Sequence, residues 1–185
     1  MAKNWKIRTD LSIEVCGHTL FRIECTQDFK EIKAGTLGGY IEKEENLDGD
    51  AWVYGNAQVY GNARVYGDAQ VYGNARVYGN ARVYGDAWVS GDAKVYGNAW
   101  VYGDKITNKD DICYISNRYY NITITPLHIK IGCQYHAQEA WWNFTDEQIK
   151  KMDGESALNF WKIWKEPLKQ ICDAMKKEKG EKDVK

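Results

Sequence analysis

The stretch DAWVYGNAQVYGNARVYGDAQVYGNARVYGNARVYGDAWVSGDAKVYGNAWVYGD, residues 50–104, repeats one six-residue unit nine times without interruption. Valine stands at every sixth position from Val53 to Val101, alanine from Ala51 to Ala99 and glycine from Gly49 to Gly103. The unit is A-x-V-Y-G-[ND], with Trp, Gln, Arg or Lys at x and one exception in the tyrosine column, Ser90. Ile41 and Leu47 carry the valine register two units further back. Alternation along A-x-V-Y sends Ala and Val to one face of a short strand and x and Tyr to the other. Glycine accepts positive φ freely, and Asn and Asp tolerate it better than most residues, so Gly-[ND] reads as a bend. A bend of constant sense every sixth residue closes a coil of about three strands, and successive coils pair in parallel at roughly 4.8 Å. Collagen is excluded because glycine recurs at six positions rather than three.

The inward aliphatic and alanine columns form the core, and each fully buried valine contributes about 1.5–3 kcal/mol. The outward x positions recur face by face on every third unit. One face carries Trp52, Gln70 and Trp88, a second Gln58, Arg76 and Lys94, and a third Arg64, Arg82 and Trp100. Tyrosine rows such as Tyr66, Tyr84 and Tyr102 flank them. Such ladders solubilise a sheet, yet Tyr, Trp and Arg are also the residues enriched at interfaces.

Ahead of the coils, Ser12 to Cys25 alternates apolar and polar residues around Gly17-His18, as a β-hairpin does. Behind them, residues 112–116 and 121–133 are strand-like, with Pro126 at a break. The pattern beyond Gln134 is helical. Thr145 and Gln148 make a capping box, and Ala157, Trp161, Trp164, Leu168, Ile171 and Met175 form an amphipathic stripe that Pro167 is expected to kink or restart. The expected organisation is an N-terminal β-hairpin cap at 1–40, a β-helix at 41–107, a C-terminal β-strand and helical region at 108–178, and a disordered tail at 179–185. The fold class is mainly β.

Charge is nearly balanced, at 25 basic against 26 acidic residues, which argues against duplex nucleic acid or an anionic membrane as partner. Five widely spaced cysteines and no C-x-x-C argue against a disulfide framework or a four-cysteine zinc site. Cys133-x-x-His136 lacks a matching second pair, so no metal and no cofactor is expected. The opening MAKNWKIRTD has no apolar core of a signal peptide, and no apolar run approaches a membrane span. A cytoplasmic setting is the expectation.

With Ala-x-Val repeated nine times, residues 35–107 resemble the hexapeptide-repeat family, whose members fold as left-handed parallel β-helices. The segments AGTLGGYIEKEENL (34–47), ISNRYYNITITP (115–126) and HIKIGCQYHAQEAW (128–141) resemble phage- and prophage-type members, often labelled transferases or polymer-forming proteins from the repeat alone. The resemblance implies a bacterial host cell and a homo-oligomer, commonly a trimer with its β-helices side by side. Acyltransferases of the family use a histidine base and often loops inserted between hexads. This chain has no histidine between Gly35 and Tyr102 and no inserted loop in the repeat.

The expected function is therefore non-enzymatic binding of a small anionic, nucleotide-like ligand, as in sequestering an immune signal, or inhibition of a host defence protein. An acyl- or nucleotide-sugar-dependent transferase and a purely structural assembly protein are the alternatives. Arginine beside aromatic rings holds phosphorylated aromatic ligands through charge-assisted hydrogen bonds and stacking. The expected ligand-contacting residues are Arg64, Arg76, Arg82, Trp100, Asn117, Arg118, Tyr119, Tyr120, His128 and His136. No catalytic residue is assigned.

Overall fold

The computed structural model describes residues 3–182, with side chains through Lys177. Of the tail expected at 179–185, residues 179–182 continue the last helix and 183–185 lie outside the described residues. The chain divides into two compact units, Met1–Lys109 and Asp110–Lys185.

The first unit opens with a hairpin of β1 (Trp5–Val15) and β2 (His18–Cys25), followed by β3 (Leu37–Ile41). Cys16 and Gly17, at φ 52° and 81°, make the two-residue turn that matches strand twist. Ten short strands follow: β4 (Trp52–Val53), β5 (Gln58–Val59), β6 (Arg64–Val65), β7 (Gln70–Val71), β8 (Arg76–Val77), β9 (Arg82–Tyr84), β10 (Trp88–Val89), β11 (Lys94–Val95), β12 (Trp100–Tyr102) and β13 (Lys105–Ile106). They stack as a three-faced parallel β-solenoid, in the sheet orders β3-β5-β8-β11, β4-β7-β10-β13 and β6-β9-β12. Each pairing steps by one coil, as Val59↔Val77 and Val65↔Val83 show. Ile41 pairs with Val59 and Leu47 with Val65, so the first coil begins before the hexads become regular.

All nine alanines and nine valines of the repeat are buried. Every bend is made by a glycine at positive φ, and the Asn or Asp after it stays at negative φ, so the expected sharing of the bend between the two residues is not what the chain uses. Glycine alone is enough, because the following residue can re-enter the extended region at once. The freed amides instead stack along the axis: Asn62 donates to Asn80 and Asn80 to Asn98, at 3.3 and 3.2 Å. Buried Asn46 closes the first coil, donating to the carbonyls of Gly61 and Ala63 and accepting from the N–H groups of Glu42 and Lys43.

Two outward positions turn out to be inside, Trp52 and Tyr60. Trp52 is 1% exposed, whereas Trp88 two coils on in the same column is 40% exposed. Phe29, from the loop between β2 and β3, packs edge-on against Trp52 at 5.5 Å and covers it.

The second unit is an antiparallel sheet, β14 (Cys113–Ser116), β15 (Asn121–Ile124), β16 (His128–Ile131) and β17 (Gln134–Ala137), with α1 (Gln138–Asn143) and α2 (Asp146–Lys182). Residues 135–137, expected to be helical, belong to β17, because the turn at Gly132-Cys133 folds them back in register on β16. Thr145 and Gln148 exchange the two hydrogen bonds of a capping box. The stripe of α2 packs with Ile122, Ile124, Ile129 and Trp141 into one core. The break in α2 falls at Asp153-Gly154 and not at Pro167. Pro167 leaves the Ile163 carbonyl without a helical N–H donor, yet the helix runs on through it, and Ile163 itself is 70% exposed. No helix among the described residues is long and apolar enough to cross a membrane.

Candidate functional site

The third face of the solenoid brings together three of the expected residues. Arg64 pairs with Arg82 and Arg82 with Trp100 across successive coils. Both arginine side chains stand exposed above buried valines. The Arg82 guanidinium lies over the Trp100 ring, 4.8 Å from its centroid. Beside this column runs an aromatic stack, Tyr66 on Tyr84 at 5.0 Å and Tyr84 on Tyr102 at 4.9 Å. Burial, then the neighbouring Tyr66 and Tyr102, push the Tyr84 hydroxyl above its ordinary value, with Arg82 opposing. That shift favours the neutral Tyr84 hydroxyl.

A groove of about 390 Å³ opens on this face, lined by Glu45, Asp48, Arg64, Val65, Tyr66 and Arg82. It is graded along the axis. Asp48 and Glu45 sit at its N-terminal end, and Arg64, Arg82 and Trp100 follow coil by coil. One Asp48 oxygen is engaged by the Gly49 N–H at 2.8 Å. Neither Arg64 nor Arg82 has a carboxylate within 4.0 Å among the described ion pairs. Two guanidiniums one coil apart repel each other, and an anion between them relieves that. Sequence reasoning missed Glu45 and Asp48. The signal was available, since stepping eighteen residues back from Tyr66 lands on Asp48.

Arg76 does not join this site. It pairs with Gln58 and Lys94 on another face, beside the stack of Tyr60, Tyr78 and Tyr96. That face also carries a paired histidine. His18 Nδ1 lies 2.9 Å from Glu42, whose other oxygen accepts the Gly61 N–H. Burial raises the Glu42 carboxyl, but His18 and the Gly61 N–H outweigh it and hold it below its ordinary value.

The remaining expected residues lie in the second unit and are spread across it. Asn117 Oδ1 accepts the N–H groups of Tyr119 and Tyr120 at 2.8 and 2.9 Å, so Asn117–Tyr120 is a side-chain-capped turn between β14 and β15. Arg118 and Tyr119 are exposed there. His128 and His136, expected near that turn, sit at the other end of the sheet, because Ile124 pairs with Ile129 and Ile129 with His136. The separation along the strands is about 10 Å. His128 stacks on Tyr135 at 4.7 Å, and His136 packs edge-on against Trp141 and Phe144. Burial lowers the His136 imidazole below its ordinary value, which leaves the ring neutral.

A family model described as the YdcK β-solenoid repeat matches residues 57–73, 69–85 and 75–91. These overlapping matches span the middle coils and include Arg64, Arg76 and Arg82. No curated protein matches the chain.

Proposed function

We propose that this β-solenoid repeat protein is a non-enzymatic binding protein whose third face takes a small anionic ligand with an aromatic ring, such as a nucleotide. The observation that carries this reading is the Arg64–Arg82–Trp100 column. It has two exposed guanidiniums on adjacent coils, with no carboxylate partner among the described ion pairs and with an indole beneath the second. A phosphate bridges the two arginines through charge-assisted hydrogen bonds, and the ligand's ring lies against the Tyr66–Tyr84–Tyr102 wall. The acidic end at Glu45 and Asp48 sets direction, repelling the phosphate and accepting from ring amino groups. A rigid solenoid suits such a role, because its side chains are held in place before the ligand arrives.

The setting that goes with this reading is a phage protein in a bacterial cytoplasm that sequesters a nucleotide immune signal. A homotrimer would place one face of each copy against the next. Isothermal titration of the purified chain with mononucleotides and cyclic dinucleotides tests the binding. Saturable binding lost in Arg64→Ala/Arg82→Ala supports it. Undiminished binding in that variant, no binding at millimolar nucleotide, or turnover of an acyl-CoA or nucleotide-sugar substrate would overturn it.

A further inference from the structure

The second unit holds a cleft of different chemistry. About 400 Å³ of space lies between β16, β17 and the start of α2. Trp141, Trp161, Phe160 and Ile149 form its wall, and Tyr120 and Asp153 stand with it. The wall residues are buried, while Asp153 is exposed. The Tyr120 hydroxyl donates to Asp153 Oδ2 at 2.7 Å, and Oδ1 has no partner among the described residues.

Three irregular stretches of backbone converge here. The Asn117 turn carries Tyr120 to the cleft. Gly132, at φ 57°, makes room for the Tyr120 ring, since a Cβ there would stand 2.9 Å from it. The α2 break gives Asp153 a non-helical backbone, and Gly154 follows at φ 64°. Without that break Asp153 would continue the helix. Such departures from regular structure gather where a side chain must be aimed.

We propose that this cleft is a binding site for a small aromatic amine, with the ring against the tryptophan and phenylalanine wall and the ammonium on Asp153. Aromatic faces attract a cation, and a single carboxylate fixes where it sits. Lys150, three residues before Asp153, is bound to Glu155. Burial first, and then the bond to Asp153, push Tyr120 up to about 12, so it remains a hydrogen-bond donor to Asp153. The site selects the opposite charge from the arginine face and stands independently of it.

The test is competitive titration of the full chain with phenethylamine, 2-phenylethanol and phenylacetate, read by tryptophan emission and checked by calorimetry. Phenethylamine is expected to bind at least tenfold more tightly than the alcohol, and phenylacetate not at all. Asp153→Asn should level amine and alcohol, while Tyr120→Phe keeps the preference for the amine. Equal affinity for all three probes, no binding of the amine at millimolar concentration, or an amine preference that survives in folded Asp153→Asn overturns the proposal. The comparison of amine with alcohol on the native chain decides it even where the variant does not fold.

Discussion

The guanidinium of Arg82 rests on the indole of Trp100, 4.8 Å from the ring centroid, because the two residues are in register one coil apart. The same eighteen-residue register repeats through the regular coils, as Gln58↔Arg76 and Lys94↔Arg76 show. An arginine that would otherwise sample many rotamers in water is thereby held over a flat surface, with its N–H edge free. Exposed cation–π contacts of this kind contribute about 0.5–1 kcal/mol. On the proposed function, Trp100→Ala should weaken nucleotide binding about two- to fivefold and leave the fold intact. Arg82→Ala should cost about 1.5–3 kcal/mol, because it removes a charged hydrogen-bonding group. Titration calorimetry of the two variants side by side checks the order. A Trp100→Ala loss equal to or larger than the Arg82→Ala loss would show that the indole does more than seat the arginine.

Gly79 and Gly103 have nearly the same backbone, φ 72° and 67°, but different surroundings. A Cβ on Gly79 would stand 3.1 Å from the Gly97 nitrogen, whereas one on Gly103 meets nothing within 4 Å. Alanine at either position bears the left-handed cost of about 1–2 kcal/mol. Only Gly79→Ala must also push two coils apart, an overpacking cost of about 1–3 kcal/mol. Urea unfolding of the two variants should therefore separate by at least about 1 kcal/mol. Equal midpoints would mean that coil spacing tolerates a methyl group at the bend.

Trp52 and Trp88 share a column and differ in what covers them. Trp52→Ala empties a buried site beneath Phe29 and should cost about 3–5 kcal/mol. Trp88→Ala removes a stack on Tyr72 at 4.8 Å and should cost about 1 kcal/mol. Thermal unfolding ranks the pair, and a Trp88→Ala variant as damaged as Trp52→Ala would contradict the burial difference.

Burial holds the His136 ring below its ordinary value, so the unfolded chain binds the proton at a higher pH than the folded one. Stability from the neutral ring is complete above the unfolded value of about 6.5 and drains as pH falls through the lower folded value. His136→Phe, which keeps an aromatic ring between Trp141 and Phe144, should flatten the fall in melting temperature between pH 7.5 and 5.5. A variant with the unaltered slope would place the acid sensitivity elsewhere.

The solenoid was legible because its information is local. Ala-x-Val-Tyr-Gly states inside, outside and bend within one hexad, and the three-strand coil then assigns Arg64, Arg82 and Trp100 to one face by counting. The arginine face was readable in advance for this reason, and its acidic end was readable by the same count. The second unit offered no such period. Its strands and the stripe from Ala157 to Met175 were visible, since apolar spacing reports them. The strand at 134–137 was not, because only pairing with β16 separates it from the helix that follows. The helix break had a signal, Gly154 inside a helical pattern, but Pro167 was the stronger local breaker and drew the expectation away.

By itself the sequence determined the repeat, the inward columns, the pairing register and the identity of each outward face, because each of these follows from positions a few residues apart. Tertiary structure alone decided that Trp52 is core while Trp88 is surface, and that Tyr120 meets Asp153. Those outcomes depend on segments distant in the chain arriving at one place: Phe29 over Trp52, and the Asn117 turn beside the break in α2. No local pattern encodes such a meeting, since its energy exists only once both partners are packed.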